Sequence, residues 1–276
     1  MNRHPTPRTS PVALVESLWS NRALIGQLVK REILGRYRGS IFGLAWSFFN
    51  PVLMLVIYTF VFSVVFQARW GAEQVGNRAD FAILLFIGLI VHGFFAECLN
   101  RAPSLILQNV NFVKKVVFPL ELLPVVVLAS ALFHTAVSFV VLMTAMLIAH
   151  GELHATAVFA PLLFIPLILA TAGFSWVLAS LGVFARDVGQ VIGIVTTILM
   201  FLSPVFYPIS SVPDAFRPWL LANPLTFIIE QLRALLFFGN GPNWLGLGAY
   251  AAASLVVAWL GFAWFQKTRK GFADVL

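Results

Sequence analysis

Charge is scarce in this chain. Asp, Glu, Lys and Arg make up 11% of its 276 residues, and 60% are hydrophobic. A soluble domain carries about a quarter charged residues, so an ordinary water-soluble globule is excluded and a membrane protein is left. Cysteine is nearly absent. The single Cys98 cannot build a disulfide framework, and one thiol in an apolar run reads as packing. Lysine is rare too, and none of Lys30, Lys114, Lys115, Lys267 and Lys270 follows a glycine. A phosphate-binding loop needs a Gly-Lys pair, so hydrolysis of ATP by a P-loop is not expected here. Residues 1–40 lack the apolar stretch of a signal peptide and are not expected to act as one.

Histidine offers no metal motif. His150 and His154 are four apart, but Gly151 stands between them at the end of an apolar run, so both read as interfacial loop residues. His92 and His134 fall inside apolar runs, where each either bonds a neighbouring helix or serves transport. None of the eleven acids lies near the middle of an apolar run. Glu97 is four residues from Arg101, and Glu230 is three from Arg233, spacings at which each pair neutralises itself on a helix. Ion coupling through a buried carboxylate is therefore not expected. Neither are catalytic residues, a metal site or a cofactor in this chain.

What the sequence has in abundance is long apolar runs. A helix crossing ~30 Å of hydrocarbon needs about 20 apolar residues. Six runs qualify, at about 41–66, 81–100, 122–149, 155–185, 188–207 and 243–266. Between the last two, residues 213–238 are apolar but interrupted by Arg217, Asn223-Pro224, Glu230 and Arg233. Pro224 removes a donor and disfavours helix at Asn223. Two short helices that dip into the membrane and return are expected there. With both termini cytoplasmic, 14 of the 18 Lys and Arg fall on that side, a strong positive-inside bias. A seventh span would put the basic tail, 267–276, outside. The expected fold is an all-α integral membrane protein with six spans, a re-entrant hairpin between the fifth and sixth, and both termini cytoplasmic.

Ahead of the first span, Leu14, Leu18, Ile25, Leu28, Val29 and Ile33 share one face. Residues 12–40 are expected to hold an amphipathic helix in the cytoplasmic interface. Residues 1–11, with Pro5, Pro7 and Pro11, read as a disordered tail. The net charge of +7 then meets anionic lipid headgroups rather than nucleic acid, because the basic residues flank apolar runs. No internal repeat is visible, which argues against an inverted-repeat carrier.

Several blocks stand out in order: KREILGRYRGSIFGLAWSFFNP at 30–51, NVNFVKKVVFPLELLP at 109–124, VFARDVGQ at 183–190, SPVFYPISSVP at 203–213, NPLTFIIEQLRALL at 223–236 and FADVL at 272–276. Their order and spacing resemble the membrane (permease) subunit of ABC type-2 polysaccharide exporters, which move O-antigen, capsule or teichoic acid chains. The RYRGS form of the first block is closer to the O-antigen branch. The resemblance implies a multi-pass protein of the bacterial inner membrane. It implies a second copy of the chain and two P-loop ATPase subunits that hold the ATP and Mg2+. It also implies an undecaprenyl-linked polysaccharide threaded between the two copies.

The resemblance also suggests roles. Residues 109–119 match the coupling helix, with Asn109, Phe112, Lys114, Lys115, Phe118 and Pro119 facing the ATPase; an interfacial helix lying on lipid is the alternative. Arg186 and Asp187 make a second contact or cap a tight turn. Trp46, Phe49, Tyr58, Phe206 and Tyr207 line the channel, because sugar C–H faces stack on aromatic rings; ordinary helix packing is the alternative. Asn50-Pro51 and Ser203-Pro204 weaken helices where the channel opens. Pro204, Asn223, Pro224, Glu230 and Arg233 form an outer gate. Gly35, Gly39 and Gly43 recur every fourth residue, either on one smooth helix face or as a flexible linker. With Arg36, Tyr37 and Arg38 between them, they read as a hinge at the entrance for the lipid pyrophosphate.

Overall fold

The computed structural model describes residues 9–65, 78–114 and 118–276, and among them every regular element is helical. Residues 1–8 of the expected tail, residue 66 of the first run and Lys115 lie outside the described residues.

The expected interfacial helix is two helices, α1 (Pro11–Ser20) and α2 (Arg22–Arg36). Ser10 caps α1 by accepting from the Ala13 N–H at 3.2 Å, with Pro11 at the first position. Asn21 breaks the run by turning its amide back to the Ser17 carbonyl at 2.7 Å. Leu28 is buried, and Leu14, Leu18, Ile25 and Val29 pack on the core. The expected apolar face therefore meets protein.

The first run is α3 (Trp46–Tyr58), begun by a 3-10 turn at Gly43–Ala45 and continued by π-helical turns at Thr59–Val65. The helix runs on through Pro51. α4 (Arg78–Arg101) passes through a 3-10 turn into α5 (Leu105–Gln108), and α6 (Val110–Lys114) follows. Then come α7 (Leu122–His150), closed by Gly151 at φ 76°, and α8 (Ala160–Phe184). α9 (Val188–Leu202) is shorter than its run. Pro204 bars helix at Ser203, which is extended at ψ 151°. Fifteen residues reach only ~22 Å, so the expected span over 188–207 is not one continuous helix.

Two short helices follow, α10 (Arg217–Ala222) and α11 (Pro224–Leu236), parted at Asn223-Pro224 as expected. α12 (Trp244–Thr268) and α13 (Phe272–Val275) close the chain. Among the described residues, five segments are long and apolar enough to cross a membrane: Gly43–Phe62, Ala79–Gln108, Leu122–His150, Ala155–Phe184 and Trp244–Val275.

α4 is the centre of the bundle and touches α3, α7, α8, α9 and α11. The closest helix pair is α8 and α12. A methyl group on Gly173 would stand 2.6 Å from the Val257 carbonyl carbon, and one on Gly261 2.7 Å from the Gly173 carbonyl carbon. Bare glycine on both sides lets the backbones meet. Of the helices from the long apolar runs, α3 and α9 are covered least. Only Pro51 is buried in α3 and only Thr196 in α9, while Phe48, Phe49, Val191 and Ile194 are exposed.

The bundle has two distinct ends. The basic end gathers α1, α2, the end of α4 at Arg101, the start of α7 and the C-terminal tail. Glu121 there accepts from Ser17 at 3.0 Å and pairs with Arg269 at 2.9 Å. The far end gathers Asp80, His150, α10 and α11. His150 pairs with Asp80 at 2.8 Å, and His154 bonds the Phe237 carbonyl at 3.1 Å.

Candidate functional site

A cleft of about 590 Å³ opens between α3, α4 and α7. Trp46, Asn50 and Tyr58 of α3 form one wall, with Phe86 and Leu89 of α4 opposite. Its floor at the basic end is polar and brings together Arg36, Tyr37, Glu97 and His134. Eleven residues of helix separate Phe86 from Glu97, so the cleft runs ~16 Å from an apolar top to a charged floor.

The floor is wired by charge. Arg36 Nη1 lies 2.8 Å from Glu97 Oε1, and the same oxygen is 3.7 Å from Arg101 Nη1. Arg101 itself pairs with Glu32. The expected pair of Glu97 and Arg101 is present, and Arg36 joins it as a second, nearer cation. α2 crosses this end of α4 and offers Glu97 the nearer partner. Tyr37 hydrogen-bonds His134 Nδ1 at 3.3 Å, and their rings meet edge-on at 5.9 Å. Burial raises the Tyr37 hydroxyl pKa above its ordinary value, against Arg36 and with Glu97, so the phenol stays neutral.

The three glycines do not share a helix face. α2 ends at Arg36, and Gly39 and Gly43 take φ of 85° and 51°, outside the right-handed α-helical region. A side chain at Gly35, Gly39 or Gly43 would meet nothing within 4 Å. Their spacing marks two left-handed turns rather than a packing surface. Arg38 is exposed beside them.

At the far end, Arg233 is the anchor. Its side chain is 2% exposed and pairs with Glu230 at 2.9 Å. It also donates to the carbonyls of Leu84 at 3.1 Å, Val205 at 2.9 Å and Pro204. Asn223 donates to Ser203 Oγ at 2.9 Å and caps α11 by accepting from the Leu225 N–H. Pro204, Asn223, Pro224, Glu230 and Arg233 thus stand around the unwound chain after α9. Gly88 permits this, because a methyl group there would lie 3.1 Å from Val205 Cα. Phe206 stacks on Phe62 at 5.9 Å and on Phe201 at 5.6 Å, and the Tyr207 hydroxyl donates to the Phe201 carbonyl at 2.8 Å. These two residues do not line the cleft that holds Trp46 and Tyr58, and the Phe62 ring stands between Phe206 and Tyr58. Phe49 also stands outside it, with its ring 6.5 Å from Trp46.

The sequence profile described as "ABC-2 type transporter" matches residues 23–237. The chain belongs to the ABC-2 type transporter family. The O-antigen export system permease protein RfbA of Myxococcus xanthus is 30% identical over 266 residues, covering 95% of this chain and 99% of that protein. RfbA of Klebsiella pneumoniae is 25% identical, over 92% of this chain and 95% of that protein. The polysialic acid transport protein KpsM of Escherichia coli is 25% identical, over 89% and 93%.

In this ABC-2 chain α6 covers Val110–Lys114 of the stretch expected as a coupling helix over 109–119, and residues 115–117 of that stretch lie outside the described residues. Asn109 caps α5 by donating to the Leu105 carbonyl at 2.9 Å. Phe112 stacks on Phe118 at 4.5 Å. α13 packs against α6 and α8, with Phe272 fully buried. Sequence reasoning placed no structural role on that tail. Arg186 and Asp187 are exposed, and the Asp187 carbonyl accepts from the Gln190 and Val191 amides as α9 begins. Of the two readings of His92, the structure shows the bond to a neighbouring helix, a pin between α4 and α9. His92 Nε2 donates to the Thr196 carbonyl at 2.9 Å, and Thr196 Oγ1 donates to Asn100 at 3.2 Å. A histidine in an apolar run was the available signal, and its partner was not.

Proposed function

We propose that this chain is the channel-forming permease of an ATP-driven exporter that moves an undecaprenyl-linked polysaccharide, O-antigen foremost, across the bacterial inner membrane. The names of the relatives, matched over nearly their whole lengths, support the cargo class. The observation that carries the mechanism is the cleft, whose aromatic wall rises from a charged floor at the basic end.

In this reading the basic end is cytoplasmic, as the Lys and Arg distribution requires, with both termini there. α9 with residues 203–207 completes the fifth of six spans, and α10 and α11 form the re-entrant hairpin. Two copies meet through α3 and α9, whose exposed apolar faces need cover. The ATPase pair binds ATP and Mg2+ and docks on residues 109–119 and on Arg186 and Asp187. ATP binding shifts that segment and draws α3 and α9 apart. Gly39 and Gly43 serve as the hinge. The lipid pyrophosphate approaches from the inner leaflet past Arg36, Tyr37 and Arg38, and anionic lipids surround the basic face. The glycan then slides over Trp46, Tyr58, Phe49, Phe206 and Tyr207 and leaves past Arg233. The chain contributes no catalytic residue and no metal ligand.

Capsule or teichoic acid export is the nearest alternative, supported by the match to KpsM; export of a drug or small lipid shares the topology. The deciding experiment is reconstitution with the cognate ATPase. Translocation of lipid-linked glycan, only when both subunits and ATP are present, is expected. Translocation of a small amphiphile but no glycan would reject the reading.

A further inference from the structure

Glu97 occupies an odd position for a carboxylate beside a proposed anion path. Its Oε1 stands between two guanidinium groups, 2.8 Å from Arg36 and 3.7 Å from Arg101. Arg36 and Glu97 both line the floor of the cleft, so this contact is where an incoming headgroup would arrive. Arg36, Glu97, Arg101 and Glu32 carry two positive and two negative charges and sum to zero. All four side chains are partly exposed, Glu97 least at 20%. The cluster is therefore neutral without a ligand, and an anion that binds the Arg36 Nη1 edge must displace Glu97.

We infer that Glu97 is a specificity-determining residue, an internal counter-anion that keeps single phosphate headgroups off Arg36 and yields to a diphosphate. The inference rests on reading this end of the cleft as the lipid portal. An uncovered arginine facing the membrane would be occupied by phospholipid, which offers phosphodiesters in vast excess. A single phosphate replaces one arm of the Glu97 bridge and leaves the displaced carboxylate beside it as a like charge. A diphosphate carries two charged groups and replaces both arms, one at each guanidinium. Discrimination then comes from a built-in repulsion rather than from a tighter pocket.

The test uses the permease with its ATPase in lipid nanodiscs and fluorescent polyprenyl monophosphate and diphosphate as probes. The wild type is expected to prefer the diphosphate by at least about tenfold, the size of one hydrogen bond to a charged group. In Glu97→Gln the monophosphate should tighten until the preference falls within about threefold. Phosphatidylglycerol should also begin to compete. Should Glu97→Gln fail to assemble, Glu97→Asp replaces it, because the shorter carboxylate cannot bridge both guanidiniums and should lower the preference part-way. An unchanged preference in the assembled variant, with diphosphate binding lost in Arg36→Ala, overturns the filter and leaves the portal standing. Full diphosphate affinity in both Arg36→Ala and Arg38→Ala removes the portal and the filter with it.

Discussion

Arg233 donates to the Val205 carbonyl at 2.9 Å, although one residue sits on α11 and the other on the chain that leaves α9. The bond holds open backbone that has no helix to satisfy it. With the carbonyls of Pro204 and Leu84 it makes Arg233 the joint between α4, α9 and α11. Arg233→Ala should therefore strand the two non-helical carbonyls, of Pro204 and Val205, each worth about 1–3 kcal/mol when buried. A clear fall in detergent melting temperature is expected, with ion leakage through the reconstituted complex. Arg233→Lys should restore only part of the loss, since one ammonium cannot reproduce the fork. Full stability in Arg233→Ala would contradict the joint.

The close approach of α8 and α12 predicts an asymmetry among glycines. Gly173→Val and Gly261→Val should prevent assembly, because overpacking of this kind costs about 1–3 kcal/mol or more and the obstacle is backbone. Gly35→Ala should raise stability slightly, by about 0.5–1 kcal/mol, since it is helical with open space beside it. Gly39→Ala should destabilise, because φ of 85° strains any side chain. Thermal unfolding of the four variants gives the order directly.

The pin from His92 to Thr196 predicts that α9 loosens when the imidazole is removed. His92→Leu should raise amide exchange across α9 by about tenfold, the equivalent of one lost hydrogen bond. Exchange in α8 should stay unchanged. His92→Asn keeps an N–H donor and should recover part of the protection. Equal exchange in wild type and His92→Leu would show that packing alone holds α9.

Glu121 joins α1 through Ser17 and the tail through Arg269, just after the segment proposed to face the ATPase. Glu121→Gln and Arg269→Gln, alone and together, should give a coupling energy of about 1–3 kcal/mol in a double-mutant cycle. Each single variant should hydrolyse ATP with less glycan exported per turnover. Additive stability losses with an unchanged ratio would leave the pair without a part in transmission.

Much of the fold was legible because a membrane span is a length of apolar sequence. Four runs, at 81–100, 122–149, 155–185 and 243–266, became helices with ends moved by only a few residues at most places. The break at Asn223-Pro224 was also readable, because proline acts locally. The shortening of α9 was not, although the same local rule applies at Ser203-Pro204. The apolar run continues to Tyr207, and hydropathy masked the stop. The glycine series failed for a related reason. A four-residue spacing fits a helix face, but only the backbone angles at Gly39 and Gly43 show that no single helix carries all three glycines.

The sequence by itself determined the class of molecule, the placing of most of its apolar helices and the family it belongs to. Those follow from composition, run length and motif order, which neighbours in space do not alter. Tertiary structure alone decided the partners of the rare charges. Glu97 gained Arg36 besides Arg101, Arg233 took backbone carbonyls besides Glu230, and Glu121 met Arg269 across 148 positions. In a chain this poor in charge, each ionic group must find a counter-charge or donor wherever the packed helices bring one, and that distance is not written in the spacing.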